Sequence, residues 1–80
     1  MQTLLSCEDL DTLGKRLRVC RAWRGLQLNT VARLTATTPQ YLSLLEHDKP
    51  GRNPSVELLK KLSEVLDVTV SQLLGQTPLT

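Results

Sequence analysis

The chain has 80 residues, a formal net charge of +2 and 40% hydrophobic residues. A chain of this length forms one small domain, and its core is too modest to enclose a deep substrate cavity. It contains no Phe, one Trp and one Tyr, so the predicted core is aliphatic. Leucine dominates, and strong β-formers never alternate with polar residues over a useful run. The composition therefore favours an all-helical protein.

The sequence excludes several classes of protein. No apolar run approaches the roughly 20 residues that span a bilayer, and the N-terminal segment is acidic where a secretory signal is basic. We therefore expect a cytoplasmic protein without membrane contact.

Cys7 and Cys20 suit neither a disulfide framework nor a zinc site, and Cys20 falls on a helical apolar stripe that predicts burial. With His47 as its single histidine, the chain is expected to be neither an enzyme nor a metal or cofactor binder.

The charges are unevenly distributed. Glu8, Asp9 and Asp11 lie in the leading segment, so residues 12–80 carry ten basic and five acidic side chains. Most charge runs are simply solvated faces. A one-sign run across successive helices can also create a field that attracts polyanions such as nucleic acid. The segment from Thr12 to Leu45 has no acid and six basic residues, which are Lys15, Arg16, Arg18, Arg21, Arg24 and Arg33.

Apolar spacing and helix-terminating residues predict five helices in one domain. The helical domain is expected over residues 10–75, between an N-terminal tail or helix extension (1–9) and a C-terminal tail (76–80). Gly25 ends the first predicted helix, and Ser55 caps the fourth after a Pro- and Gly-containing loop. The predicted spans are 10–23, 28–35, 39–47, 56–66 and 71–74.

Residues 29–46 form the most informative segment. Apolar residues on both sides of a tight turn indicate two short helices. Thr38 can cap the free amides of the second helix, and Pro39 fits its first position because the missing N–H would be unpaired there anyway. Such a pair of helices in a small basic protein suggests a helix-turn-helix that presents its second helix to the DNA major groove.

The order of these residues resembles the phage-repressor (Cro-repressor-like, or xenobiotic-response-element) family. The resemblance covers about residues 10–75 without interruption. It implies an all-α, five-helix lambda-repressor-like DNA-binding domain that binds a short palindromic operator as a homodimer. The residues that carry it are Leu17-Arg18, Arg21, Gly25-Leu26, Val31-Ala32, Tyr41-Leu42-Ser43, Leu45-Glu46, Lys49, Pro54-Ser55, Leu58-Leu59 and Leu73-Leu74.

By this resemblance, the third helix reads the bases. Thr38, Pro39, Gln40, Ser43 and Leu44 would face the groove. The Gln40 amide can donate to and accept from one adenine edge, whereas Leu44 offers only apolar contact, for instance to a thymine methyl. A solvated polar residue is the structural alternative for Gln40.

Four residues are expected at the DNA phosphates. These are Arg33, near the end of the second helix, and Lys49, Arg52 and Asn53, in the loop after the third. Their contacts would set affinity and register without reading sequence.

The family pattern also implies an internal ion pair between Arg21 and Glu46, joining the first helix to the third. Three positions depart from the pattern. Gln27 stands where a polar cap is usual, so Asn29 is expected to take over the cap. Ala36 and Asp48 stand where Gly is common; Ala36 would cost about 1 kcal/mol in a left-handed conformation, and Asp48 would bring negative charge near the phosphates.

A second class of function is a protein-binding module with the same fold, such as an antitoxin or anti-regulator with little DNA specificity. Trp23, Leu44 and apolar residues near the C-terminus could form its partner surface. The C-terminal candidates for a homodimer contact are Val70, Leu73 and Leu74. For Val70 and Leu73, closure of the core is the alternative.

Overall fold

Residues 11–49 and 54–79 are described by a computed structural model. Within them the protein has five α-helices and no strand, which confirms the predicted all-helical class. The first helix begins at Leu13, later than predicted, because Thr12 is extended and caps it. The predicted tail 1–9 and Leu10 lie outside the described residues. The helices are α1 (Leu13–Trp23), α2 (Leu28–Leu34), α3 (Pro39–Glu46), α4 (Val56–Leu66) and α5 (Val70–Leu73).

Four of the helices begin at a Ser or Thr cap. In each, the side-chain oxygen accepts a hydrogen bond from the amide three residues later, at Thr12, Thr38, Ser55 and Thr69. Helix α2 differs, since Gln27 precedes it and makes no side-chain cap bond. The expectation that Asn29 would take over the cap is wrong, because the helix already begins at Leu28 and includes Asn29.

The turn between α2 and α3 depends on Ala36. Its φ of 58° is left-handed, as expected from the family pattern. This conformation brings the amide of Thr37 to 2.9 Å from the carbonyl oxygen of Ala32, which closes the end of α2. Thr38 comes next and caps α3, so only residues 35–38 lie between the two helices.

Replacing Ala36 with Gly is expected to raise the free energy of unfolding by up to about 1 kcal/mol, because relief of the left-handed strain exceeds the added entropy of the unfolded chain. Urea unfolding measures the change. Ala22→Gly is the matched control, since Ala22 is exposed within α1 and the same substitution there should destabilise by up to about 1 kcal/mol. Destabilisation by both substitutions would contradict the strain argument.

The core lies where α3 packs against α1 and α2 and where α4 closes on α2 and α5. As predicted, Cys20 is buried, and burial raises the pKa of its thiol above the ordinary value. Leu73 is fully buried, so its assignment as a dimer contact is wrong; it closes the core instead. The buried cluster consists of Leu17, Cys20, Val31, Ala32, Leu42, Leu45, Leu62, Leu66 and Leu73.

The segment after α5 lies against the domain. Leu79 packs on the core cluster, and the side-chain amide of Gln72 donates to the carbonyl oxygen of Pro78 at 3.0 Å. Across residues 11–49 and 54–79, none of the helices has both the length and the apolar character needed to cross a membrane.

Candidate nucleic-acid interface

Helix α3 has one side in the core and one side facing outward. Leu42, Leu45 and Glu46 are buried. The opposite side bears a shallow depression of about 450 Å³, lined by Pro39, Gln40, Ser43 and Leu44. The structure thus brings together four of the five residues that were predicted to read bases.

The fifth predicted reader, Thr38, has a structural task. Its hydroxyl oxygen accepts a hydrogen bond from the amide of Tyr41 at 3.1 Å and caps α3. The side chain is still exposed at the N-terminal end of the helix. Its hydroxyl hydrogen can therefore also be donated to a ligand.

Two of the predicted phosphate contacts lie on the surface. Arg33 is exposed in the last turn of α2, and Lys49 is exposed just beyond α3. The other two, Arg52 and Asn53, lie outside the described residues. Arg33 therefore lies near the C-terminal end of α2, and Lys49 lies three residues after the C-terminal end of α3.

Arg21 and Glu46 form the ion pair that the resemblance implied. Arg21 Nε and Nη2 donate to the two oxygens of Glu46 at 2.7 and 3.0 Å, and Nη1 donates to the carbonyl oxygen of Leu26 at 3.1 Å. The Glu46 side chain is only 4% exposed. The hydrogen bonds to Glu46 raise the pKa of Arg21. The bidentate pair fixes α1 to the C-terminal end of α3.

Two other basic residues, one in α1 and one just after it, also bind within the protein. Arg16 Nε donates to the carbonyl oxygen of Leu73 at 2.6 Å, and Arg24 Nε donates to that of Leu66 at 3.0 Å, which satisfies the ends of α5 and α4. Arg24 also pairs with Asp67.

Within residues 11–49 and 54–79, at least three of the six basic residues in the acid-free segment have a carboxylate partner: Lys15 with Asp11, Arg21 with Glu46 and Arg24 with Asp67. Those carboxylates lie outside the segment in sequence. The field of this segment is therefore weaker than its sequence indicates, because paired charges attract a distant polyanion weakly. Arg18 and Arg33 remain exposed.

Asp48 has a role that the sequence did not reveal. It lies just after α3 with a φ of 55°, and its carboxylate accepts hydrogen bonds from the Thr12 hydroxyl at 2.6 Å and the Gly14 amide at 2.9 Å. The charge thus lies at the positive end of α1. The expected repulsion of phosphates is weakened by this partner, and α3 gains a second attachment to α1.

The family model described as helix-turn-helix matches residues 17–73. The chain belongs to the xenobiotic-response-element family of helix-turn-helix proteins. Within this family it is similar to the HTH-type transcriptional regulator SinR of Bacillus licheniformis, with 36% identity over 64 residues, which are 80% of this chain and 57% of SinR. Transcriptional regulators of this kind are not enzymes.

Solved structures of the family show the same fold. A crystal structure of SinR, the master regulator for biofilm formation, in complex with DNA is 35% identical and has a TM-score of 0.71. The match covers 78% of this chain and 97% of that one. The clp gene regulator ClgR of Corynebacterium glutamicum is 37% identical with a TM-score of 0.67, covering 76% and 63% of the two chains. The present chain spans 40–57% of the length of the curated relatives that it matches.

Proposed function

We propose that this chain is a sequence-specific, DNA-binding transcriptional regulator that acts as a repressor and inserts α3 into the major groove. The observation that supports this most is the common outward side of α3, where Pro39, Gln40, Ser43 and Leu44 line one surface. The side chains that hold α3 in the protein lie on its other side, so the outward side is available to a ligand. The DNA-bound SinR structure, which shares this fold, supports the same use.

The proposed complex is a homodimer on a palindromic operator, in the cytoplasm at the nucleoid. Half-sites would be about 34 Å apart, one helical turn of DNA. The apolar surface at the end of α5 supports the dimer, since Leu74 is 41% exposed next to the partly buried Val70. Sedimentation of the free protein tests this proposal: Leu74→Glu should shift a dimer to the monomer, and a monomer at all concentrations in the parent protein would contradict it.

The DNA proposal is tested by titrating the protein with duplex DNA from its own promoter region and with a scrambled duplex. We expect the promoter DNA to bind at least about 10³-fold more tightly. Gln40→Ala should weaken promoter binding and leave scrambled binding unchanged, because Gln40 is assigned to a base. Equal weak binding to both duplexes would refute operator recognition and favour the alternative, a protein-binding module.

A double variant, Arg33→Ala with Lys49→Ala, tests the phosphate contacts. We expect weaker binding to every duplex, and a slope of log K against log salt that is shallower by about 2, since each lost phosphate contact removes about 0.9. The matched control is Lys60→Ala with Lys61→Ala, which removes the same charge from the exposed surface of α4. A slope that changes as much in the control would assign the effect to net charge and not to Arg33 and Lys49.

A further inference from the structure

The outward side of α3 carries no charge. None of the four side chains that line the 450 Å³ depression ionises: one is a carboxamide, one a hydroxyl and two are hydrocarbon. The ionisable side chains of α3 lie elsewhere, since Tyr41 packs against the core cluster and Glu46 is buried on Arg21. His47 follows the helix, and its Nδ1 lies 2.8 Å from the carbonyl oxygen of Ser43. Arg33 and Lys49 are not among the described residues that line it; Arg33 belongs to α2 and Lys49 follows α3.

This chemistry discriminates between base pairs. Guanine presents two acceptors in the major groove, and the commonest specific contact to it is a bidentate Arg or Lys. Among the described residues that line the depression, none carries such a group. Adenine presents an acceptor beside a donor, which matches a Gln carboxamide, and thymine adds a methyl group that matches hydrocarbon.

The spacing of Gln40 and Leu44 along α3 matches the spacing of neighbouring base pairs. Gln40 and Leu44 are four residues apart, so they lie on the same side of the helix with a separation of about 6 Å along its axis. Base pairs rise about 3.4 Å per step. A helix lying along the groove would therefore place the two side chains on base pairs one or two steps apart.

We propose that α3 reads A·T pairs, with Gln40 on an adenine edge and a thymine methyl group seated in the depression against Leu44 and Pro39. This inference rests on the proposed function and specifies its ligand. Ser43, which can donate or accept, adds a contact that suits either base of the pair. Guanine and cytosine in these positions are disfavoured, because no side chain there satisfies the paired acceptors of guanine.

The experiment begins with selection of binding sites from a duplex pool of random sequence. The expected half-site has adjacent or next-but-one A·T pairs at the positions facing α3. Each thymine of the selected duplex is then replaced with deoxyuracil, which removes only the 5-methyl group. At the critical thymine we expect affinity to fall about fourfold, the effect of burying one methyl group.

Protein variants assign the methyl contact to a side chain. Leu44→Ala should reduce the uracil penalty, because of the two hydrocarbon side chains only Pro39 would still touch the methyl group. Leu34→Ala, which truncates an exposed leucine of α2, should leave the penalty intact. Gln40→Ala should lower the preference for adenine at its own position and leave the uracil penalty unchanged.

The outcomes separate this inference from the function on which it rests. A selected half-site that is G·C at these positions, or one without any uracil penalty, would refute the A·T assignment while leaving operator binding intact. A pool with no enrichment would refute operator binding itself, and the assignment with it. The uracil measurement uses the unmodified protein, so it does not depend on whether a variant folds.

Discussion

Glu46→Gln is expected to lower the free energy of unfolding by roughly 3 kcal/mol, the low end for breaking a buried ion pair, because Arg21 keeps partial contact with water. The Arg21 side chain is 22% exposed, against 4% for Glu46. The substituted amide would leave a cation without its partner and would turn N–H donors toward the guanidinium. For a domain of this size the melting temperature should fall by at least about 10 °C.

Asp67→Asn is the matched control. It also converts one carboxylate of an Arg pair to an amide, but the Asp67 side chain is 82% exposed. Asparagine tolerates the left-handed conformation that Asp67 adopts, with φ at 58°. We expect a loss below about 1 kcal/mol. Urea unfolding measures both variants. Equal losses in the free energy of unfolding would mean that burial of Glu46 does not make its ion pair more stabilising than an exposed one.

Gly14→Ala is expected to destabilise the protein by roughly 2 kcal/mol, although alanine is the better helix former by about 1 kcal/mol. Gly14 is buried where α1 meets the end of α3. A β-carbon there would collide with the backbone carbonyl oxygen of Leu45 and would lie 2.7 Å from both carboxylate oxygens of Asp48. A backbone atom cannot rotate away, so the two helices would have to separate.

Two further variants separate crowding from backbone conformation. Gly25 has a φ of 65° and open space around its Cα, so Gly25→Ala should cost only the left-handed strain, about 1 kcal/mol. Adding Asp48→Gly to Gly14→Ala removes the carboxylate but not the Leu45 carbonyl, and should not restore stability. Full recovery in that double variant would show that the carboxylate, and not the close approach of the two backbones, requires glycine.

The helices themselves could be predicted because their signals are local. Thr38-Pro39 and Ser55 mark helix starts in the sequence, and the structure places α3 and α4 directly after them. The left-handed turn at Ala36 was equally predictable from the family pattern. The observed helix start differs from the predicted one where an apolar stripe extends past the cap. At α1 the stripe predicted a start at residue 10, but Thr12 is extended and caps the helix, which begins at Leu13.

The hydrogen-bond partners of long polar side chains could not be predicted in this way. Arg16 and Arg24 look in the sequence like an exposed basic run, yet each binds the carbonyl end of a helix more than forty residues later. Which helix ends approach α1 is decided by packing, and the sequence contains no local signal of it. For the same reason the contact of Asp48 with α1 could not be predicted. Nor could the sequence show that Leu73 is buried while its neighbour Leu74 is exposed.

The attachments of α3 have a consequence for how this protein could change over time. Leu42 and Leu45 in the core, Glu46 on Arg21, and Asp48 on Gly14 hold the helix, and the side chains of Gln40, Ser43 and Leu44 are not among these contacts. Folding and the proposed recognition of DNA thus use different side chains of one short helix. Under the proposed mode of binding, the three outward residues can be substituted to change the target sequence, at a cost in stability typical of surface positions, within about 0.5 kcal/mol each.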